Sequence, residues 1–171
     1  LASIIGWGDI KKMLYQIKFI FSLASFLLCL PIFSQELQIM DNEVISFGQP
    51  NQSEVDAFVE DGVTLIVDLR GPNENRGFDE QTYLNSINTA YYSLPVIDEG
   101  DINFDNARLL QTLINDADGK VLVHCGSGNR VGALMSLIGS LEGMDKQEAI
   151  EFGIQNRLGG LINRVNQVIE E

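Results

Sequence analysis

Cys125 ends an apolar run, Val121-Leu122-Val123-His124, and opens the short stretch Gly126-Ser127-Gly128-Asn129-Arg130. These residue types at this spacing can hold an anion beside a nucleophilic thiolate. Gly126 and Gly128 let backbone N–H groups turn inward as a nest. The helix expected to start near Arg130 adds N–H donors that have no intrahelical partner, and its field favours negative charge. That field and the Arg130 guanidinium favour the thiolate over the thiol. Arg130 can also grip two oxygens of a tetrahedral oxyanion at once. Ser127 and Asn129 are read as polar groups that close the loop or contact the anion. His124 precedes the cysteine on a strand, so it faces the opposite side and is expected to position Cys125 rather than to act as a base.

Positioning this loop requires a sheet, and the pattern supplies one. Val44-Ile45-Ser46-Phe47 reads as a short strand ended by Gly48-Gln49-Pro50. Asn51 or Ser53 can cap a helix carrying Val55, Phe58 and Val59, which Asp61-Gly62 closes. Val63 to Leu69 is a β-branched-rich buried strand, followed by a loop from Arg70 to Gly77. A helix from about Asp79 to Ser86 leads to a strand from Ala90 to Leu94. A long loop over Pro95 to Phe104 comes next. Asn103 or Asp105 caps a helix with Ala107, Leu110 and Ile114 inward, before the central strand Lys120 to His124. An apolar helix from Arg130 to Leu141 follows the loop. Asp145 with Glu148 forms a capping box for the next helix. Gly159-Gly160 precedes a last amphipathic helix with Leu161, Val165 and Val168 on one face. Alternating strands and helices predict a three-layer α/β fold with a mostly parallel sheet, whose strand ends collect ligands.

The 171 residues suffice for one compact domain and little more. Residues 1–12 read as an upstream extension. Residues 13–34, with Lys18 before the apolar stretch Phe19 to Leu30 and Ser34 at its end, read as a signal peptide. Residues 35–171 are then a single domain, exported to the periplasm or secreted. The apolar stretch is short for a membrane anchor, so no stable membrane insertion is expected after cleavage. The chain carries 24 Asp+Glu against 11 Lys+Arg, a formal net charge of −13. This balance, with no basic run, excludes nucleic acid as a partner. Of the 2 cysteines, Cys29 lies in the signal segment, which leaves Cys125 without an intramolecular disulfide partner. The single histidine argues against a histidine-rich metal centre, and no cofactor or metal is implied.

The loop resembles that of the cysteine-dependent tyrosine and dual-specificity phosphatase superfamily, which reads His-Cys, five residues, then Arg. Roughly residues 44–157 look closer still to the phosphatase-like domain family of beta-lactamase hydrolase-like proteins. That likeness rests on Phe47-Gly48-Gln49-Pro50, Val67-Asp68-Leu69-Arg70 and His124-Cys125-Gly126-Ser127-Gly128-Asn129-Arg130-Val131-Gly132. It implies hydrolysis of phosphomonoesters, on a small molecule or a phosphoprotein, through a phosphocysteine intermediate on Cys125. Related enzymes draw a general acid from an upstream loop, and Asp98 and Asp101 stand in the loop that could supply it. Asp68 could pin the local loops or orient Arg70, and Arg70 could add a second positive group at the rim.

Two departures keep other activities open. Only four residues separate Cys125 from Arg130, as in rhodanese-like sulfurtransferases, where the cysteine carries a persulfide. Val131 stands where a hydroxyl would stabilise the departing thiolate. A non-catalytic oxyanion-binding module is the third reading.

Overall fold

The computed structural model describes residues 40–171, which lie within one compact unit of residues 38–171. The expected signal segment and upstream extension lie outside the described residues. Four strands, β1 (Val44–Phe47), β2 (Val63–Asp68), β3 (Ala90–Ser93) and β4 (Lys120–His124), form one sheet in the order β1-β4-β2-β3. All of its pairings are parallel, so every strand delivers its carboxyl end to the same edge. The last row of the ladder across that edge is Phe47, His124, Asp68 and Ser93.

Helices cover both faces. α1 (Gln52–Glu60) and α2 (Glu80–Ser86) carry Val55 and Leu84 into a cluster with Ile66 and Leu122. On the other face α3 (Phe104–Asn115), α4 (Asn129–Leu141) and α6 (Ile162–Glu170) pack Leu110, Ile114, Leu134, Leu137, Val165 and Val168 against Val67, Val121 and Val123. α5 (Lys146–Gln155) packs on α4. This is the three-layer α/β architecture the sequence implies. Because strand residues alternate between faces, Leu122 and His124 look toward α1 and α2, whereas Val123 and Cys125 join the larger core.

Local chemistry sets the element boundaries. Asn51, not Ser53, caps α1: its side chain accepts the Glu54 N–H at 3.1 Å while Glu54 returns a bond to the Asn51 N–H. Asn103, not Asp105, caps α3. The Asp145–Glu148 capping box opens α5 as expected. Strands β2 and β3 stop one residue before Leu69 and Leu94. The loop over Pro95 to Phe104 contains a 3-10 turn at Glu99–Asp101 capped by Asp98.

α4 is the central helix, buried continuously from Val131 to Gly139. α5 approaches it so closely that a methyl at Gly132 would lie 2.1 Å from the Leu158 backbone nitrogen and 2.7 Å from the Gly153 carbonyl oxygen. Backbone cannot yield as a flexible side chain can, so Gly132→Ala is expected to cost about 1–3 kcal/mol by overpacking. Urea denaturation of the two proteins measures this, and equal midpoints would contradict the packing.

Candidate thiol and anion site

The chain leaves β4 at His124 and turns at once. Gly128 takes a left-handed conformation, φ 89°, as the N-cap of α4, which glycine adopts without steric cost. Its N–H points back to the cysteine and donates to Cys125 Sγ at 3.1 Å. Cys125 is fully buried beneath the loop. Gly126 and Ser127 are exposed, and the Ser127 hydroxyl accepts the Asn129 N–H at 3.5 Å. The Asn129 side chain turns away and caps the chain ahead of α6, accepting N–H bonds from Gly159 at 2.8 Å and Leu161 at 3.4 Å. Val131 is fully buried in the core, so nothing at that position offers a hydroxyl to the thiol.

Arg130 stands at the mouth of the loop, held by Glu74 of the loop after β2, which nothing in the local sequence marks as its partner. Glu74 grips it in two parallel hydrogen bonds, Nη1 to Oε1 at 2.6 Å and Nη2 to Oε2 at 2.7 Å. Arg130 Nη1 also donates to the carbonyls of Val96 at 2.9 Å and Leu69 at 3.3 Å. One guanidinium therefore joins the loops after β2, β3 and β4. The Glu74 hydrogen bond, with the nearby Cys125 as a lesser cause, raises the Arg130 pKa above its ordinary value. Reciprocally, the Arg130 bond holds the Glu74 carboxyl below its usual range, against partial burial and with help from the Gly71 N–H at 2.7 Å. Glu74 and Arg130 line a cleft of about 400 Å³ with Gly71, Pro72, Asn73 and Ile97. Ile97 is 67% exposed and gives that cleft an apolar wall.

Asp98 and Asp101 follow Ile97 and so stand next to the cleft, but their carboxylates are engaged with their own loop. Asp98 accepts the Gly100 N–H at 2.7 Å, and Asp101 accepts the N–H groups of Ile97 at 2.7 Å and Asp98 at 3.3 Å.

Behind the thiol loop, on the opposite face of β4, lies a buried ionic cluster. Asp68 is fully buried and Arg70 is 1% exposed, so Arg70 does not reach the rim. The Asp68 carboxylate accepts bonds from the Arg70 N–H at 2.9 Å, Arg70 Nε at 2.9 Å, Arg70 Nη2 at 3.0 Å and the Tyr91 hydroxyl at 3.0 Å, and a further bond from Arg76. Arg70 also bonds Glu80 of α2, a buried acid on a polar helix. His124, fully buried, faces Glu80 Oε1 across 3.2 Å from Nε2 and Asp68 across 4.0 Å from Nδ1, without hydrogen-bond alignment to either. Asp68, Glu80 and His124 have ligand types and a span, within 4.8 Å, that a metal ion could use. Arg70 already binds both carboxylates, and with Arg76 it balances their charge, so the cluster fits an internal ion network better than a cation site.

Burial pushes the Asp68 carboxyl up, but the Arg70 hydrogen bonds and the His124 and Arg70 charges outweigh it and leave its pKa below the usual carboxylate range. Burial first, then the Asp68 charge, pushes the Tyr91 hydroxyl up to about 12. Glu74 and Arg76, in the loop after β2, and Glu80, at the start of α2, carry no signal in the sequence beyond their charge.

The α/β fold is shared with solved phosphatase structures, and part of the chain is similar in sequence to beta-lactamase hydrolase-like proteins. Two curated proteins from Xylella fastidiosa, strains Temecula1 and 9a5c, each called beta-lactamase hydrolase-like protein, are 33% identical over 121 residues. That alignment covers 67% of this chain but only 28% of either relative. Solved structures show the same fold. A Neisseria meningitidis protein assigned as a phosphatase matches with a TM-score of 0.61 at 21% identity, over 75% of this chain and 92% of that one. Tk-PTP in its active form matches with 0.59 at 17% identity, over 77% and 94%. P. aeruginosa TpbA, in complex with phosphotyrosine, matches with 0.55 at 21%, over 74% and 78%. No protein-family model matches the chain.

The buried cluster generates a pH prediction. The Asp68 pKa is depressed in the folded state, so its stabilisation is present above the unfolded value near 3.8 and is lost as pH falls through the folded value. Asp68→Asn is expected to destabilise the protein by about 3–5 kcal/mol at neutral pH, because it leaves Arg70 buried without its main partner. The deficit should shrink below about pH 4. Denaturant titrations at neutral and acidic pH measure it, and a deficit that grows on acidification would refute the assignment.

Proposed function

We propose that this domain is a cysteine-dependent phosphomonoesterase. The carrying observation is the Cys125 Sγ receiving the Gly128 N–H at 3.1 Å beneath Arg130, at the carboxyl edge of a parallel sheet. The incoming phosphoryl group is stabilised by the loop N–H groups and Arg130. The thiolate attacks phosphorus and the ester oxygen departs with a proton. Water then hydrolyses the phosphocysteine, which returns the thiolate and releases inorganic phosphate. Asp98 or Asp101 supplies the proton once the loop after β3 rearranges, since both carboxylates now bond backbone N–H groups. Ile97 offers an apolar surface to the leaving group. The phosphorylated substrate is a small molecule or a protein side chain.

The specific observation that favours a second reading is the ring of only four residues between Cys125 and Arg130, together with the buried Val131. A tighter ring suits a terminal sulfur or a small oxyanion, so sulfur transfer through a Cys125 persulfide is the runner-up. Hydrolysis of p-nitrophenyl phosphate is expected, and Cys125→Ser should lower it by about 10³-fold or more. A gain of one sulfur atom on Cys125 after thiosulfate treatment, with no phosphate release, would replace phosphatase by sulfurtransferase. Phosphate binding that needs Arg130 but brings turnover of neither substrate type would leave an oxyanion-binding module.

Export to the periplasm or the medium is proposed with this activity, supported by the basic flank and apolar stretch of residues 13–34. Among the described residues no helix is long and apolar enough to cross a membrane. N-terminal sequencing of the protein recovered from its producing cells should begin near Gln35, and a retained leader would contradict export with cleavage.

A further inference from the structure

Every other Lys and Arg among the described residues has a carboxylate within salt-bridge distance; Arg157 has none. That is unusual in a chain with 24 acids to 11 bases. Its position is equally particular. Arg157 directly follows the C-cap of α5, and its φ of 78° is left-handed. The Leu158 N–H donates to the Gly153 carbonyl at 2.8 Å and the Arg157 N–H to the Ile154 carbonyl at 3.0 Å, a helix ending in which the left-handed position is usually glycine. An arginine there carries backbone strain that a glycine would not.

The side chain is held in place rather than left to solvent. Arg157 Nε donates to the Ser46 carbonyl at 2.7 Å, and the guanidinium lies 5.1 Å from the centre of the Phe47 ring. The Ser46 hydroxyl donates to Asn156 at 2.7 Å, which fixes the same turn to β1. The stem crosses Gly128, where a methyl would come within 2.5 Å of Arg157 Cδ. This is the residue whose N–H bonds the Cys125 sulfur. The terminal Nη1 and Nη2 groups make no hydrogen bond to any described residue. A prepositioned guanidinium without a carboxylate partner is thus held at the carboxyl end of β1 by a stem that lies against Gly128 of the thiol loop, while Glu74 occupies the corresponding groups of Arg130.

We propose that Arg157 is a second anion contact that selects phosphomonoesters bearing a further negative group next to the one transferred. The proposal rests on the phosphatase reading of the Cys125 loop. The first group enters the loop, and the second takes the free Nη donors of Arg157, whose weaker hydration and planar fork suit phosphate oxygens. Substrates with one anionic group leave Arg157 unused.

The test measures binding without turnover. In the full chain with Cys125→Ser, calorimetry compares orthophosphate with pyrophosphate, each also titrated against Arg157→Gly and Arg157→Lys on the same background. Arg157→Gly removes the cation and relieves the left-handed strain, so folding is expected to survive, with thermal unfolding as the check. Pyrophosphate is expected to bind Arg157→Gly about tenfold more weakly while orthophosphate changes less than about twofold, and Arg157→Lys should recover part of the loss. Should Arg157→Gly fail to fold, Arg157→Lys alone decides, by whether it weakens pyrophosphate and spares orthophosphate. Equal weakening of both anions, or none of either, overturns the role of Arg157 and leaves the phosphatase reading standing. Failure of both anions to bind while Arg157 is intact overturns both.

Discussion

Asp68 is an ion without access to water, and the carboxyl edge of the sheet is organised around it. A buried carboxylate is tolerable only if its oxygens are fully bonded to compensating donors. Here those donors come from the residue two places on, from the loop after β2 and from β3, through Arg70, Arg76 and Tyr91. Arg70 extends the network to Glu80 and so fixes α2. Removing any one partner strands a charge in the interior, so these elements stay together. The geometry of the thiol loop rests on that rigidity, because β4, which delivers Cys125, pairs with β2 up to Asp68 itself.

The alternation of β4 turns this into a division of labour. His124 faces the ion network and Cys125 faces the core beneath the loop, although the two are neighbours in sequence. The polar cluster therefore sits behind the thiol, on the other face of the strand. The cysteine keeps an apolar surround and one directed N–H donor. What surrounds the sulfur is thus set by directed backbone dipoles and the core rather than by solvent.

Much of this was legible in the sequence because it is local. The strand–loop–helix around Cys125, the cap at Asn103 and the Asp145–Glu148 box are short-range patterns, each with a chemical signature within a few residues. The parallel sheet followed from alternating strands and helices. The partners of Arg130 and Arg70 were not legible. Glu74 lies 56 positions from Arg130 in sequence, and Glu80 sits on a helix otherwise polar enough to read as solvent-facing. Nothing in such acids distinguishes them from their neighbours until the fold brings a cation to them. Asn129 misled in the opposite direction: its place in the loop suggests an anion contact, but its side chain serves the chain ahead of α6.

If the loop takes an anion as proposed, the Glu74–Arg130 pair sets the terms. A net charge of −13 repels phosphate at long range, so binding depends on short-range donors that outcompete the protein's own carboxylates. Glu74 already takes both terminal nitrogens of Arg130, and its oxygen Oε2 stands 3.8 Å from the point where a Gly126 side chain would begin. A phosphoryl oxygen at Arg130 must share the guanidinium with that carboxylate or displace it. Sharing costs repulsion, and displacement costs two charge-assisted bonds. No carboxylate competes for the loop N–H groups, where Gly128 bonds the Cys125 sulfur and Asn129 the Ser127 hydroxyl, or for the terminal nitrogens of Arg157. Under the proposed function, the loop would therefore have to supply much of the affinity for as long as Glu74 holds Arg130.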